Sequence, residues 1–364
     1  MTATEYLLPR LYPWLSYSSI ENAMATWKGR GIAFTFPTSG YARGVHLILT
    51  LRNILRCTLP IEIFYIGDKD LAFEKRRELS KLSGVTLIDI QERLPLVTEV
   101  HGFNIKPFVM LASSFREVIF MDDDVTMLQN PDALLDASAL YSKYGTLFFL
   151  DRSFSGGNSE WVRSFVPHPS AASLGSRYMT NVSRDEQESS LVVLDKGRVG
   201  IVHALLAACH MNLKESRDEA LHKHTHGDKE SFWIAHELVR TPYAFVPGIG
   251  GAAGFFRTKQ GIKEPDVVCG PQSHIDEERR LTHFNGLTLK YKDDPSKGYL
   301  DFHHYVAPVL ENPGNVDIGY HPWCVHSRKP AEEVIEFNER EKGVIGKIIE
   351  LHKELVKSEF AVPA

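Results

Sequence analysis

Three consecutive carboxylates, Asp122, Asp123 and Asp124, follow the apolar run Val118-Ile119-Phe120-Met121. That run has β-strand character, so the acids stop a buried strand and face whatever lies beyond its carboxyl end. Oxygen ligands in an Asp-x-Asp spacing suit Mg²⁺ or Mn²⁺, ions that usually keep open positions for substrate phosphates. The competing reading is that the acids are solvated turn residues. The rest of the chain has to decide between the two.

Two kinds of chemistry place an Asp-x-Asp at a strand end. In a phosphatase, Asp122 would be the nucleophile and Asp124 the acid–base residue of an Asp-x-Asp-x-Thr pattern completed by Thr126. That chemistry expects the motif on the first strand and a later acidic pair at helical spacing. Here the motif follows three strand candidates, and Gly227-Asp228 has Phe232, not a carboxylate, four residues on. The other chemistry is transfer from a nucleotide sugar, in which a metal bridges the donor diphosphate. It expects the motif deep in the chain and later polar residues for the sugar. Gln187-Glu188, Asp228-Lys229-Glu230 and His283-Phe284-Asn285-Gly286 qualify.

The elements that must position these residues alternate between two periods. Gly31–Phe36 reads as a strand, followed by a Pro37-Thr38-Ser39-Gly40 turn and a helical pattern from Val45 to Leu55. Strands at Ile61–Ile66 and Val85–Ile88 flank a charged helix at Phe73–Leu82, and a helix at Phe108–Ser114 leads into the strand that carries the acids. Thr146–Leu150 and Ser190–Leu194 read as further strands and Gly200–Cys209 as an apolar helix. Such alternation predicts an α/β fold with a mostly parallel sheet, whose ligands bind beyond the carboxyl ends of the strands. After Pro247 the chain reads as loop-rich, and Gly248–Gly254 is either a close approach to a ligand or a flexible connector. From Ala331 to about Phe360 an amphipathic pattern predicts one long terminal helix docked on the core.

With 364 residues and 43% hydrophobic content the chain can bury a large core. A formal charge of −5 gives no footprint for nucleic acid. No apolar run reaches the roughly 20 residues of a membrane span, and the first residues lack the basic and apolar regions of a signal peptide, so a soluble chain is expected. Cys57, Cys209, Cys269 and Cys324 show no CxxC spacing and are free thiols or up to two disulfides. Asn181-Val182-Ser183 fits a glycosylation acceptor.

Taken in order and spacing, several stretches resemble the fungal α-mannosyltransferases of glycosyltransferase family 71, in particular the α-1,3 branch. They include Cys57-Thr58-Leu59-Pro60, Lys106-Pro107-Phe108, Ser113–Phe120, the acidic triplet, Gly145–Phe149 and Gln187-Glu188-Ser189. Val192–Lys196, Gly227–Trp233, Cys269–His274 and Phe284-Asn285-Gly286 continue the match. The resemblance implies a GT-A fold, GDP-mannose as donor, a mannose-terminated glycan as acceptor, Mn²⁺, retention of configuration and a Golgi location. It implies that Asp124 ligates the metal and that Asp122 contacts donor ribose or a metal-bound water. A looser analogy with glycogenin-like enzymes adds His283 to Asp122 and Asp124 as a metal ligand, with His274 as its rival. It also puts Lys106 on the donor, Glu188 and Asp228 on the sugar as the carboxylates of catalysis, and Lys290 on the diphosphate, seven residues after His283 where that pattern has six.

Arg43 is a candidate phosphate contact or a surface charge, and Lys229 and Glu230 are sugar contacts or ordinary first-turn charges. Gln187, Asn285 and Gly286 complete the expected substrate contacts. The implied organisation is an N-terminal segment over residues 1–30, a catalytic domain over 31–290 and an extension over 291–364. An α-1,2 linkage, a UDP-sugar donor, or a non-catalytic glycan-binding descendant are the alternatives.

Overall fold

Residues that alternate between two apolar faces build the first sheet. In the computed structural model, which describes residues 19–95, 100, 102–292, 294–309 and 314–358 together with Tyr12 and Leu15, these strands are β1 (Arg30–Thr35), β2 (Ile61–Tyr65), β3 (Val85–Asp89) and β4 (Glu117–Met121). A short β5 (Val125–Met127) follows the acids, and β6 (Thr146–Leu150), β7 (Gln187–Asp195) and β8 (Phe245–Ile249) come later. The sheet order is β3-β2-β1-β4-β7-β6-β8. Pairings among β3, β2, β1 and β4, and between β6 and β8, are parallel, while β7 runs antiparallel to β4 and β6.

Both faces of this sheet are covered. Ala33, Val118, Phe120, Val192 and Leu194 pack beneath helices α2 (Lys106–Ala112), α3 (Val199–Met211) and α4 (Lys229–Val239). Helix α1 (Tyr41–Leu49) precedes these in the chain and covers the other face, where Ile32, Phe34, Ile119, Met121 and Val193 meet Val45 and Ile48. Strands buried on both sides read as continuous apolar runs, which is why their positions are legible in the sequence. This is the α/β arrangement with a largely parallel sheet and helices on both faces that the alternation of elements predicts.

The region after Pro247 departs from the loop-rich expectation. It forms β8, then β9 (Gly251–Lys259), β10 (Ile262–Cys269), β11 (Gln272–Ile275), β12 (Leu281–Asn285), β13 (His304–Val306), β14 (Asn315–Asp317), β15 (Cys324–His326) and β16 (Val334–Glu336). β8 edges the first sheet, while β9 to β16 join β5 in a second, nine-stranded sheet with the path β14-β15-β10-β9-β11-β12-β5, and β13 and β16 attach through β9. Its glycines serve backbone packing: a Cβ at Gly251 would collide with the Val306 carbonyl, and one at Gly254 with that of Cys269. Glycine weakens the sequence signal for a strand even where close approach requires it. Cys269 and Cys324 form a disulfide between β10 and β15, while Cys57 and Cys209 are buried free thiols.

The predicted long terminal helix is interrupted. Val334 and Ile335 lie in β16, paired with β13, and the helix proper, α5, runs Glu339–Lys357. Asn338 starts it with a capping box closed by Glu341. Ile345, Ile348 and Leu355 are buried, and the Ile348 carbonyl lies 3.2 Å from His46 Nε2 on α1, so this helix does dock on the core. Of the 1–30 segment, residues 1–11, 13, 14 and 16–18 lie outside the described residues, whereas Ile20, Ala23 and Trp27 are buried in the core. Among the described residues, no helix is long and apolar enough to cross a membrane.

Candidate active site

The acidic triplet is the joint between the two sheets: β4 ends at Met121 in the first, and β5 begins at Val125 in the second. The turn is fixed by backbone bonds. Asp122 N–H donates to the Ser190 carbonyl on β7 (2.7 Å), and Gly286 N–H to the Asp124 carbonyl (3.0 Å). Gly286 has φ +132°, and a Cβ there would come within 2.9 Å of Pro271. It is therefore a backbone anchor at the end of β12 that locks the triplet from the second sheet. Asp123 accepts from Arg43 Nε at 3.0 Å and pairs with Nη2 at 2.9 Å, a fork that fits only because a Cβ on Gly40 would strike the same carboxylate.

A cavity of about 800 Å³ opens over the triplet, lined by Thr35, Ile66, Arg43, Lys106, Asn285 and Lys292 among others. A smaller one of about 200 Å³ adjoins it and shares Phe103, Lys106, Asp122, His226 and Asn285, adding Asp151, Glu188, Asp228, Lys229 and Gln272. The structure thus brings Arg43, Lys106, Asp122, Asp124, Glu188, Asp228, Lys229 and Asn285 to one cleft, beyond the carboxyl ends of β1, β2 and β4.

Lys106 is the hub. Its buried ammonium donates to Asp122 Oδ2 (2.8 Å) and to the carbonyl and hydroxyl of Ser189 (3.2 Å each), with Asp228 Oδ1 at 3.7 Å. Burial works against its charge, but Asp122 and Asp228 outweigh that and raise its pKa. Asp228 sits at the N-cap of α4, and burial raises its carboxyl. Its Oδ2 has no hydrogen-bond partner among the described residues. Glu188 differs: Oε1 accepts from Ser190 N–H (2.7 Å) and Asn285 Nδ2 (3.1 Å), and Oε2 from the Ser190 hydroxyl (2.6 Å). Burial still pushes it up to about 7. Lys229 pairs with Asp151 at 2.8 Å and Asp185 at 3.2 Å, so its charge is already matched within the wall.

Other expected contacts lie away from the cavities. Glu230 is fully buried, accepts from Glu186 N–H (2.9 Å) and from the Trp233 indole, and is pushed up to about 8 by burial. Gln187 is buried with both amide atoms unpartnered among the described residues. Lys290 is exposed, and it is Lys292 that reaches Asp124 Oδ2, at 2.5 Å.

His283 and His274 face each other across β12 and β11, their rings stacked at 4.8 Å against Phe149. With Glu188 they form a buried group whose potential ligand atoms lie within 4.8 Å of one another; among the described residues, Asp122, Asp124 and His283 form no such group. Burial drives the His274 pKa down to about 3 and the His283 pKa well below its usual value.

Sequence reasoning missed Asp151, Gln272 and Lys292. For Asp151 a signal existed, since Thr146–Leu150 is an apolar run ended by an acid, just as β4 is. For Lys292 there was none, because a loop path decides which lysine reaches the turn.

A family model described as "Mannosyltransferase putative" matches residues 29–276. The chain is 25% identical over 337 residues to the "Putative alpha-1,3-mannosyltransferase MNN14" of Candida albicans, covering 75% of this chain and 47% of that protein. It is 23% identical over 406 residues to the "Probable alpha-1,3-mannosyltransferase MNT4" of Saccharomyces cerevisiae, covering 92% of this chain and 67% of that one. The chain therefore spans about half the length of the first relative and two thirds of the second. Among solved structures, the galactosyltransferase LgtC with donor and acceptor sugar analogues overlaps 60% of this chain and 73% of its own at 9% identity, with a TM-score of 0.38, too loose a likeness to carry an argument.

Proposed function

The chain belongs to the mannosyltransferase family, and on that premise we propose that it moves mannose from GDP-mannose to a mannose-terminated glycan, with retention at the anomeric carbon and an α-1,3 linkage. The observation that carries this reading is the cleft itself. Asp122 and Asp124 meet Lys106 beyond the carboxyl ends of β1, β2 and β4, and Glu188 and Asp228 approach from β7 and α4. The names of the relatives support mannose and the α-1,3 linkage.

The donor set suits Mn²⁺ or Mg²⁺. Asp122 and Asp124 offer hard oxygens to a cavity, and Asp124 already draws one cation, the Lys292 ammonium, to 2.5 Å. Such an ion, held by Asp122 and Asp124, would neutralise charge on the departing diphosphate. In the transfer, the bond from C1 to the diphosphate oxygen breaks, the acceptor oxygen bonds to C1, and the acceptor proton leaves on the diphosphate. Lys106 orients Asp122 through its 2.8 Å bond and is placed to reach the donor. Of the two cleft carboxylates Glu188 and Asp228, Asp228 has an oxygen without a hydrogen-bond partner among the described residues, so it is the group to face the anomeric carbon, as nucleophile or as stabiliser of developing positive charge. Glu188 accepts three hydrogen bonds and holds its geometry as a sugar contact.

A Golgi lumen location is part of the proposal. The Cys269–Cys324 disulfide supports an oxidising compartment. The test is a thermal-shift and turnover screen of sugar nucleotides with and without Mn²⁺, with α-mannobiose as acceptor. Mn²⁺-dependent stabilisation by GDP-mannose and a trisaccharide product, both lost in Asp124→Ala, are expected, and the linkage is read from the product. If no sugar nucleotide binds and Asp124→Ala changes nothing, the reading fails.

A further inference from the structure

Large exposed aromatic rings are costly to leave in water, and on this chain two of them edge the catalytic cleft. Trp323 is 43% exposed and Phe103 is 61% exposed, and both line the cavity above Asp122–Asp124. Trp323 is held firmly for an exposed side chain. Its carbonyl accepts from Gly270 N–H at 3.1 Å, and the next residue, Cys324, is joined to Cys269 by the disulfide. The Phe154 ring braces the indole edge-on, with centroids 6.0 Å apart. Phe103 lies at the junction of the two cavities, 5.7 Å above the Lys106 ammonium.

We propose that Trp323 is the platform on which the acceptor mannose stacks, with Phe103 as the second aromatic wall. This rests on the mannosyltransferase reading and adds to it the residues that receive the acceptor. The chemistry favours a pyranose: one face of the ring presents C–H groups that pack on an aromatic face, while its hydroxyls need polar partners at the edge, a division aromatic side chains suit. Such partners adjoin, since Asn285 lines both cavities and Gln272 the smaller one. The donor nucleoside has a different place. Thr35 and Ile66 line the same cavity from the carboxyl ends of β1 and β2, the crevice where nucleotides bind in such sheets. Trp323 directly precedes Cys324 of β15 in the second sheet, whereas Thr35 and Ile66 lie at the ends of β1 and β2 in the first.

Trp323→Ala, Trp323→Phe and Phe103→Ala are compared for the KM of α-mannobiose, the Kd of GDP with Mn²⁺, and direct binding of α-mannobiose by calorimetry, each variant first shown to melt with wild type. The expected result is a rise in acceptor KM and Kd on the order of tenfold for Trp323→Ala. Substantial recovery in Trp323→Phe, a smaller rise in Phe103→Ala, and an unchanged GDP affinity are also expected. An unchanged acceptor Kd overturns the proposal, as does a selective loss of GDP affinity, which would assign the indole to the base. If wild type turns over no sugar nucleotide, the mannosyltransferase reading fails separately, and the calorimetric comparison still decides whether Trp323 binds mannose.

Discussion

Two groups of metal-ligand residue types lie close together in this molecule, in opposite surroundings. Asp122 and Asp124 open into the large cavity with lysines as partners. His274 and His283 are buried behind Glu188, the imidazoles stacked on each other and edged by Phe149. Carboxylates that line an open cavity beside ammonium groups are placed to exchange one cation for another. Burial disfavours the charged imidazoles and drives their pKa values down, and the neutral rings stack on each other against Phe149. Residue type alone does not set a side chain's surroundings; access and partners do. Glu188 belongs to both groups, touching the cleft on one side and the imidazoles on the other, with His274 Nε2 at 3.4 Å.

The comparison can be broken most directly by exchanging roles. Asp124→Ala is expected to lower turnover by about 10²-fold or more and to abolish the Mn²⁺ response, while His283→Ala leaves the Mn²⁺ midpoint within a few-fold of wild type. A Mn²⁺ titration of GDP-mannose hydrolysis reads both, and equal loss in the two variants would merge the groups. Next in size, Asp228→Asn should reduce kcat more than Glu188→Gln does, because only Asp228 has an unengaged oxygen; single-turnover kinetics at saturating donor separate this from weakened binding. His283→Ala should instead destabilise the fold by about 2–3 kcal/mol in urea denaturation, the cost of a cavity where a buried ring stood.

A smaller effect depends on pH. Burial raises the Glu188 carboxyl from its usual range to about 7, so between about 4.5 and 7 the folded protein holds a proton that the unfolded chain has released. Stability therefore falls as pH rises through that window. Glu230, raised to about 8, acts in the same direction. In chelator, Glu188→Gln should lose less stability between pH 5 and 7 than wild type, and equal slopes would show that Glu188 is ionised throughout. Smallest of all, Lys290→Ala should leave donor KM within about twofold, whereas Lys292→Ala should shift it, since of these two lysines it is Lys292 that reaches Asp124.

Much of the first sheet and of its acids was legible because strands buried on both faces write themselves as unbroken apolar runs. Val118–Met121 followed by three aspartates is visible without coordinates. The second sheet was hidden for the converse reason. Its strands carry glycines at Gly251 and Gly254, where neighbouring backbones touch, and this dilutes the apolar pattern that marks a strand. Likewise one amphipathic pattern from Ala331 onward concealed a break, because Val334 and Ile335 satisfy a strand as readily as a helix.

By itself, the sequence determined the α/β order, the placing of Asp122–Asp124 at a strand end, and a set of polar residues suited to a sugar nucleotide, since periodicity and turn chemistry are local. Tertiary structure alone decided which of those residues share a cavity. It matched Asp123 to Arg43 and Asp124 to Lys292, and it buried His274 and His283 behind Glu188. The physical reason is that a side chain's charge, access and partners depend on groups brought from far along the chain, such as β7, α4 and β12 converging on the end of β4.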